Sequence, residues 1–262
     1  MMENKLLINY IEDRYRKFQR EYSIVATDFY DLASQSLLNG FVREHAAEGV
    51  YFYGGYEDAE RRGIVFVPDY LDIKGEDELI SYFKENPRDC PFAVLSARIG
   101  QKGASLRHSD YLGSLLALGI RREKTGDILV SGEGAQILTA ADIASYLAEN
   151  YIKAGRIPLS VRAVTVDELV ITPPELKRIR AVISSPRLDN AVSAAFEVSR
   201  KAAAEAINRG LVFVNSTENR KPDFHLKGGE KLVLRGKGKA IYIGVCGSSR
   251  KGKDYVEFDR YI

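Results

Sequence analysis

Cationic side chains recur between Arg187 and Lys239, and their type and density favour the binding of phosphate groups. Phosphate contacts position a protein on a polyanion without reading a base sequence, so the shape of the polyanion supplies specificity. Each contact that is lost should lower the salt dependence of affinity by about one unit or slightly less. The predicted phosphate-binding residues are Arg187, Arg200, Lys201, Arg209, Lys221, Lys231, Arg235, Lys237 and Lys239.

The charge of the chain is unevenly distributed. Its 262 residues carry a formal net charge of only +2. From Arg180 onward there are 16 Lys and Arg against 9 Asp and Glu, whereas the preceding residues have 22 against 27. A basic C-terminal module on an acidic body indicates a polyanion partner for that module, and not a protein that coats nucleic acid along its whole length.

Two short helices are predicted to position the first of these cations. Apolar residues from Leu188 to Phe196 recur at helical spacing. Ser185 can cap this helix with Pro186 at its first position, where a missing N–H costs nothing. Ser199 can cap a second helix, and Gly210 is placed to end it in a left-handed turn.

Arg200 and Lys201 fall in the first turn of this second helix, where the helix dipole favours anions by roughly 0.3–1 kcal/mol. A helix N-terminus with exposed N–H groups and basic side chains can hold a phosphate. Taken alone, two side chains that simply reach into solvent are the better interpretation. For the whole cluster of cations, contact with phosphate is favoured.

Two strands are predicted next, Leu211 to Asn215 and Lys231 to Arg235, and the second alternates leucine with longer, mostly charged residues. The succession of two helices, a Gly, a Val-x-Val-Asn strand and the Lys227-Gly228-Gly229-Glu230-Lys231 turn resembles the RNA-binding domain first defined in small-subunit ribosomal protein S4. The resemblance implies binding to structured RNA through the two-helix face.

The middle of the chain alternates strands and helices in an informative order. No Lys/Arg-Gly-Phe/Tyr signature is present, and the strands at the centre of such a sheet offer almost no aromatic residues for base stacking. The β-α-β-β-α-β order is that of a ferredoxin-like arrangement, read here as a packing or docking domain. Its predicted elements are Phe92 to Ile99, Asp110 to Leu118, Asp127 to Val130, Ala135 to Leu138, Ala140 to Lys153 and Leu159 to Val166.

The first part of the chain predicts a helix over Lys5 to Glu21 and a second helix after a Thr27-Asp28 cap. Two strands, Val50 to Tyr53 and Ile64 to Val67, flank the connector Gly54 to Arg62. This connector lacks the Gly-Lys-Ser/Thr ending of a phosphate-binding loop, so a hairpin connection is the favoured interpretation. Its Arg61 and Arg62 are predicted either to touch RNA or to be solvated edge charges, and the sequence favours neither.

The predicted fold class is α+β. It comprises a small N-terminal α/β module at residues 1–80, a ferredoxin-like βαββαβ domain at 88–170, and an S4-type RNA-binding domain of two helices plus a small sheet at 181–246. A basic tail with a last strand occupies 247–262.

The run His108-Ser109-Asp110 invites a hydrolase interpretation. Three successive side chains on a helix or strand diverge, however, and cannot converge on one proton. Capping of the helix by Ser109 or Asp110 is the favoured interpretation.

The stretch Leu106 to Ile128, the Gly54-Gly55-Tyr56 motif and the C-terminal module together resemble the YlmH family of bacterial and cyanobacterial proteins. The resemblance covers nearly the whole chain. It implies a ribosome-associated RNA-binding protein, linked to the large subunit that carries peptidyl-tRNA after a stall, and so to ribosome-associated quality control. Some members of the family are connected instead with cell division or photosystem II assembly.

Several classes of function are disfavoured by the sequence. Cys90 and Cys246 lie far apart without Cys or His at metal-binding spacing, so no metal and no cofactor are predicted. The charged N-terminus does not have the pattern of a secretory signal, and no apolar run approaches the length of a membrane span. We therefore expect a cytoplasmic protein, and the absence of heptads or a large apolar seam predicts a monomer.

The leading hypothesis is a noncatalytic RNA-binding factor that contacts ribosomal RNA, with tRNA as a further candidate partner. Two alternative functions stay open. Arg187-Leu188-Asp189 superficially resembles the catalytic loop of a pseudouridine synthase, an RNA-modifying enzyme. The tripeptide opens a predicted helix, and no paired carboxylates in apolar surroundings or Gly-rich cofactor loop accompany it, so no catalytic residue is predicted. An adaptor that binds proteins through its acidic N-terminal modules is the other alternative.

Overall fold

The computed structural model describes residues 2–101, 103–248 and 252–262. The chain combines helices and sheets in an α+β fold and divides into two compact units, Met1–Ile171 and Thr172–Ile262. Residues 249–251, in the predicted basic tail, lie outside the described residues. The predicted division into four segments stays a prediction.

The first unit contains five α-helices and two antiparallel sheets among its described residues. The helices are α1 (Met2–Glu21), α2 (Leu32–Glu44), α3 (Glu76–Glu85), α4 (His108–Ala117) and α5 (Ala141–Asn150). The strands are β1 (Val25–Ala26), β2 (Val50–Tyr53), β3 (Gly63–Phe66), β4 (Phe92–Ile99), β5 (Thr125–Ser131), β6 (Gly134–Ala140), β7 (Lys153–Ala154) and β8 (Ile157–Val164). The strand orders are β1-β3-β2 and β5-β6-β4-β8-β7.

The large sheet of the first unit is buried on both faces near its centre. Leu95 on β4 faces α4 and α5 and packs with Tyr111 and Leu147. The preceding residue, Val94, points to the other face of the sheet and packs in the cluster that contains Phe29. The predicted strand Phe92–Ile99 is confirmed with the same bounds, and each face of the sheet has its own apolar cover there.

The predicted cap of α2 was wrong by about one turn. Thr27 and Asp28 precede the helix, and the Asp31 carboxylate instead accepts the backbone N–H of Ser34 at 3.0 Å. Thr27 Oγ1 accepts the N–H of Ile64, and Asp28 pairs with Arg121 at 2.9 Å. Both polar side chains thus bind other parts of the unit, which explains why a cap-like pair occurs where no helix begins.

The second unit is one sheet covered by two helices. The sheet is antiparallel in the order β11-β10-β12-β13-β14-β9. Its elements are β9 (Leu176–Ile183), α6 (Leu188–Phe196), α7 (Arg200–Asn208), β10 (Val212–Val214), β11 (Thr217–Glu218), β12 (Glu230–Leu234), β13 (Gly238–Ser248) and β14 (Asp254–Tyr261). Leu188, Val192 and Ile207 of the helices pack against Leu232 and Phe258 of the sheet.

The termini of α6 and α7 test three sequence predictions. Ser199 is confirmed as the cap of α7, since its side chain accepts the Ala202 N–H at 3.1 Å, and Gly210 is confirmed in a left-handed turn with a φ of 71°. The Ser185 cap of α6 was wrong because α6 begins at Leu188, after an extended Arg187. Ser185 instead accepts the Asn190 side-chain amide.

Among the described residues, no helix combines the length and apolarity needed to cross a membrane. The same residues contain no group of three or more His, Cys, Asp or Glu that could hold a metal ion. Cys90 is buried and Cys246 is exposed, and both are free thiols.

Candidate RNA-binding surface

The starts of α6 and α7 meet at one carboxylate, that of Asp189. Asp189 is only 4% exposed, and Asn190 donates its backbone N–H to Oδ1 at 3.0 Å. Arg187 donates from Nε and Nη2 at 3.1 and 3.3 Å, and Arg200 donates from Nε and Nη2 at 3.1 Å each. A single buried carboxylate therefore holds two of the predicted phosphate-binding guanidinium groups side by side.

The charge state of Asp189 follows from these contacts. Burial alone would raise the pKa of the Asp189 carboxyl, but the hydrogen bonds and charges of Arg187 and Arg200 hold that pKa below its ordinary value. The side chain is thus an anion at neutral pH. Its contribution to stability is present above the ordinary aspartate pKa near 4 and is lost as the pH falls through the lowered value.

The contact between Asp189 and Arg200 explains the two cations in the first turn of α7. The carboxylate of the neighbouring helix offsets the unfavourable interaction of Arg200 with the dipole of its own helix. Sequence reasoning placed Asp189 in a first turn but missed this contact, because the partners are 11 residues apart across a helix–helix turn. Glu197 closes that turn in a left-handed conformation, with a φ of 55°.

The loop before β12 packs on the start of α6 and brings Lys221 to the same end of the unit. The Asp189 N–H donates to the carbonyl of Pro222 at 3.0 Å, and the Leu188 N–H donates to Phe224 at 2.8 Å. Lys221 directly precedes Pro222 and is exposed. One group of predicted residues, which we call the helix-start group, therefore consists of Arg187, Arg200, Lys201 and Lys221.

A second group lies where α7 ends. Arg209 is the C-terminal cap residue of α7. Arg235 and Lys237 lie in the turn between β12 and β13, and the Arg235 N–H donates to Leu211, just beyond the helix, at 2.9 Å. These three exposed cations belong to the end of the unit opposite to the helix starts along α7.

Lys231 and Lys239 form a third group on the other face of the sheet. Leu232 and Ala240, the residues next to them, point into the core beneath the helices, so the two lysines point away from it. Lys239 Nζ lies 5.7 Å from the centre of the Tyr261 ring, a cation–π contact. The nine predicted residues are therefore not gathered on the two-helix face, and the helix-start group contains the largest number of them, four.

In the first unit, Arg61 fits neither of the two predicted alternatives. Its guanidinium group is part-buried and donates to the carbonyls of Phe29, Thr125 and Arg122. Arg62 stacks on the Phe52 ring and pairs with Glu76 at 3.1 Å, with 15% of its side chain exposed. Both arginines therefore make contacts within the first unit. The antiparallel pairing of β2 with β3 confirms the predicted hairpin.

Asp127 on β5 completes this junction. Its carboxylate accepts the Tyr56 hydroxyl at 2.8 Å and the backbone N–H groups of Glu60 and Arg61 at 2.7 and 3.0 Å. Burial raises the pKa of Asp127, and burial followed by the charge of Arg61 lowers the pKa of Arg122 to about 10, which leaves Arg122 cationic at neutral pH. The Gly54–Arg62 connector is thus fixed to the large sheet.

The His108-Ser109-Asp110 run opens α4 and does not assemble a nucleophilic site. His108 and Ser109 are exposed, whereas Asp110 accepts the backbone N–H of Arg107 at 2.7 Å. The helix begins at His108, two residues before the predicted Asp110 start. Asp110 therefore satisfies an N-terminal N–H group from inside the first turn, as the carboxylate of a capping box does.

The face of the large sheet that could stack bases is covered. The Phe92 ring lies 4.2 Å from that of Phe29 and 5.9 Å from that of Tyr53. Further along, the Gln136 side chain donates to Glu168 and accepts from Val170, so the segment after β8 crosses the same face. This burial agrees with the expectation that the sheet is not a base-stacking platform.

Removal of the α7 cap should destabilise the second unit selectively. Ser199→Ala leaves the Ala202 N–H without its side-chain acceptor, so we expect a loss of about 1 kcal/mol in the free energy of unfolding, measured by urea denaturation of the full chain. The matched control, Ser109→Ala, removes an exposed hydroxyl from the first turn of α4 and should change stability by less than about 0.5 kcal/mol. Equal losses in both variants would contradict the capping role.

Comparison with known proteins adds three findings. Residues 86–168 match a family model described as "Putative RNA-binding domain in YlmH". The "Ribosome-associated protein quality control protein P2" of Bacillus subtilis (strain 168) is 29% identical over 245 residues, which are 94% of this chain and 90% of that protein. A solved structure, "Cell division protein ylmH from Streptococcus pneumoniae", is 23% identical in sequence and has a TM-score of 0.44. The match covers 62% of this chain and 92% of the chain in that structure. The predicted resemblance to the YlmH family is confirmed.

Proposed function

We propose, from this similarity to YlmH proteins and from the paired arginines at Asp189, that the chain is a noncatalytic RNA-binding protein of the ribosome. Its site is the large subunit that carries peptidyl-tRNA after a stall. The observation that carries the proposal is the helix-start group, in which two guanidinium groups and two lysines lie at the starts of α6 and α7. Guanidinium groups in fixed positions match the geometry of phosphate oxygens.

The finer architecture is part of this proposal. Two helices followed by a strand, a turn and a strand in the second unit support an S4-type domain, which β13, β14 and β9 would extend. In the first unit, the order β5-β6-β4-β8 with α4 and α5 on one face supports a ferredoxin-like arrangement. Since the opposite face is covered, RNA contacts of residues 86–168 would come from helices, edges or loops.

Crosslinking of the full chain to purified ribosomes tests the proposal. We expect ultraviolet crosslinks between ribosomal RNA of the large subunit and peptides that contain Arg187, Arg200, Lys201 or Lys221. Crosslinks confined to ribosomal proteins and to the first unit would favour the adaptor alternative and contradict an RNA-guided factor.

The pseudouridine synthase alternative gains no support from the site. A catalytic aspartate must reach its substrate, whereas Asp189 is 4% exposed and occupied by two guanidinium groups. We expect that incubation of the protein with ribosomal RNA, followed by mass analysis of nucleosides, shows no new modification. A new modified nucleoside would contradict the noncatalytic assignment.

A further inference from the structure

Asp189 lies at the centre of the helix-start group but is too buried to touch RNA itself, with 4% of its surface exposed. Its partners are more open: 35% of the Arg187 side chain and 57% of the Arg200 side chain are exposed. The Asp189 carboxylate is therefore the buried member of this cluster, and the two guanidinium groups are its exposed members. A phosphate group that approaches from solvent would meet the guanidinium groups first.

The contact atoms show how the arginines are oriented. Both arginines use Nε and Nη2 to reach the Asp189 carboxylate, which leaves Nη1 of each guanidinium group outside that contact. A guanidinium group has five N–H donors in a rigid fork, so donors remain for a second anion. Two forks fixed by one carboxylate present these donors together.

Fixing these side chains has a thermodynamic consequence for binding. A solvated arginine loses rotamer freedom when it binds a phosphate, at about 0.5–1.5 kcal/mol for each side chain that is immobilised. The Asp189 contacts order both side chains before RNA arrives. The backbone of Asp189 is itself fixed by the carbonyl of Pro222, so Lys221 is held at the same end of the unit.

We propose that Asp189 is a positioning residue that holds Arg187 and Arg200 as a paired clamp for phosphate groups of the RNA backbone. This inference rests on the proposed RNA-binding function and deepens it. A purely electrostatic role and a positioning role predict opposite effects on RNA affinity when the Asp189 charge is removed. Removal of an anion beside two cations should strengthen RNA binding through charge alone, whereas loss of the clamp should weaken it.

The test is the affinity of the full chain for ribosomal RNA with Asp189→Asn, at fixed salt. We expect binding about tenfold weaker, because two side chains must then be ordered on binding. The matched control, Glu205→Gln, removes an exposed carboxylate from α7 and should leave affinity unchanged or slightly tighter. Unchanged or tighter binding by Asp189→Asn would overturn the proposal.

A mutant cycle separates positioning from a general effect on the fold. In an Arg187→Ala, Arg200→Ala background, Asp189→Asn should cause no further loss, because the residue acts through those arginines. The same loss in both backgrounds would assign Asp189 a structural role and overturn the clamp. If the wild type itself does not bind ribosomal RNA, the proposed function fails first.

A variant that keeps every charge covers the case in which Asp189→Asn does not fold. Arg187→Lys with Arg200→Lys preserves two cations beside the carboxylate but removes the planar forks. We expect roughly tenfold weaker RNA binding with an unchanged circular dichroism spectrum. Affinity equal to that of the wild type would show that charge alone suffices and would contradict the clamp.

Discussion

Reversal of the two lysines in the helix-start group, with Lys201→Glu and Lys221→Glu, should weaken binding of the full chain to ribosomal RNA on the order of 100-fold. Each lysine supplies a charge-assisted contact to phosphate in the proposed function, and such contacts contribute about 1.5–3 kcal/mol each. The slope of log affinity against log salt should also fall by roughly two units. Equilibrium binding across a salt series measures both quantities.

The choice of these two lysines follows from the structure. Neither forms the contact with Asp189, whereas Arg200→Glu would place a second carboxylate against that buried anion and destabilise the unit. The matched control is Lys5→Glu with Lys84→Glu, which reverses two exposed lysines of α1 and α3 in the first unit. An equal loss of affinity in both double variants would indicate a general charge effect and contradict a localised RNA surface.

Loss of the Asp127 carboxylate should produce the largest loss of stability. Asp127→Ala leaves the Tyr56 hydroxyl and two backbone N–H groups without their acceptor at a part-buried junction, so we expect destabilisation of about 3 kcal/mol. Urea denaturation of the full chain, monitored by circular dichroism, measures this change in the free energy of unfolding of the first unit. The expected loss would be a large fraction of the stability of a typical domain.

Asp142→Ala is the control for this prediction. Asp142 also carries an ion pair, with Lys124 at 2.9 Å, but 64% of its side chain is exposed. Exposed pairs contribute about 0–1 kcal/mol, so this variant should be close to the wild type. Similar stabilities of the two variants would show that the junction between the connector and the large sheet does not depend on Asp127.

The sequence was most informative where local rules dominate. The Ser199 cap and the Gly210 turn could be predicted because each depends on residues within one helix turn. The Thr27-Asp28 cap was wrong because these side chains bind partners elsewhere in the fold. The Ser185 cap was wrong because Ser185 accepts the side-chain amide of Asn190, in the first turn of α6, and no capping bond to a backbone N–H of that helix is formed. The edge strand β9 was missed, since its partner β14 is far along the chain.

The candidate site was predictable in its charge and not in its geometry. Clustering of Lys and Arg indicated a polyanion partner, but the link between Asp189 and Arg200 is tertiary and has no local signal. The position of Lys231 away from the helices could be predicted from the sequence, because neighbouring residues of a strand such as Lys231 and Leu232 point to opposite faces of the sheet. Arg61 required the structure, because its three acceptors are carbonyls from two distant segments.

Sedimentation with ribosomal subunits tests the central claim most directly. The full chain and its Lys201→Glu, Lys221→Glu variant would be run on gradients with large and small subunits across a salt series. We predict that the wild type sediments with the large subunit at low salt and leaves it as salt rises, whereas the variant stays at the top of the gradient. Equal sedimentation of both proteins with the large subunit at every salt concentration would contradict the claim that the helix-start group holds the chain on ribosomal RNA.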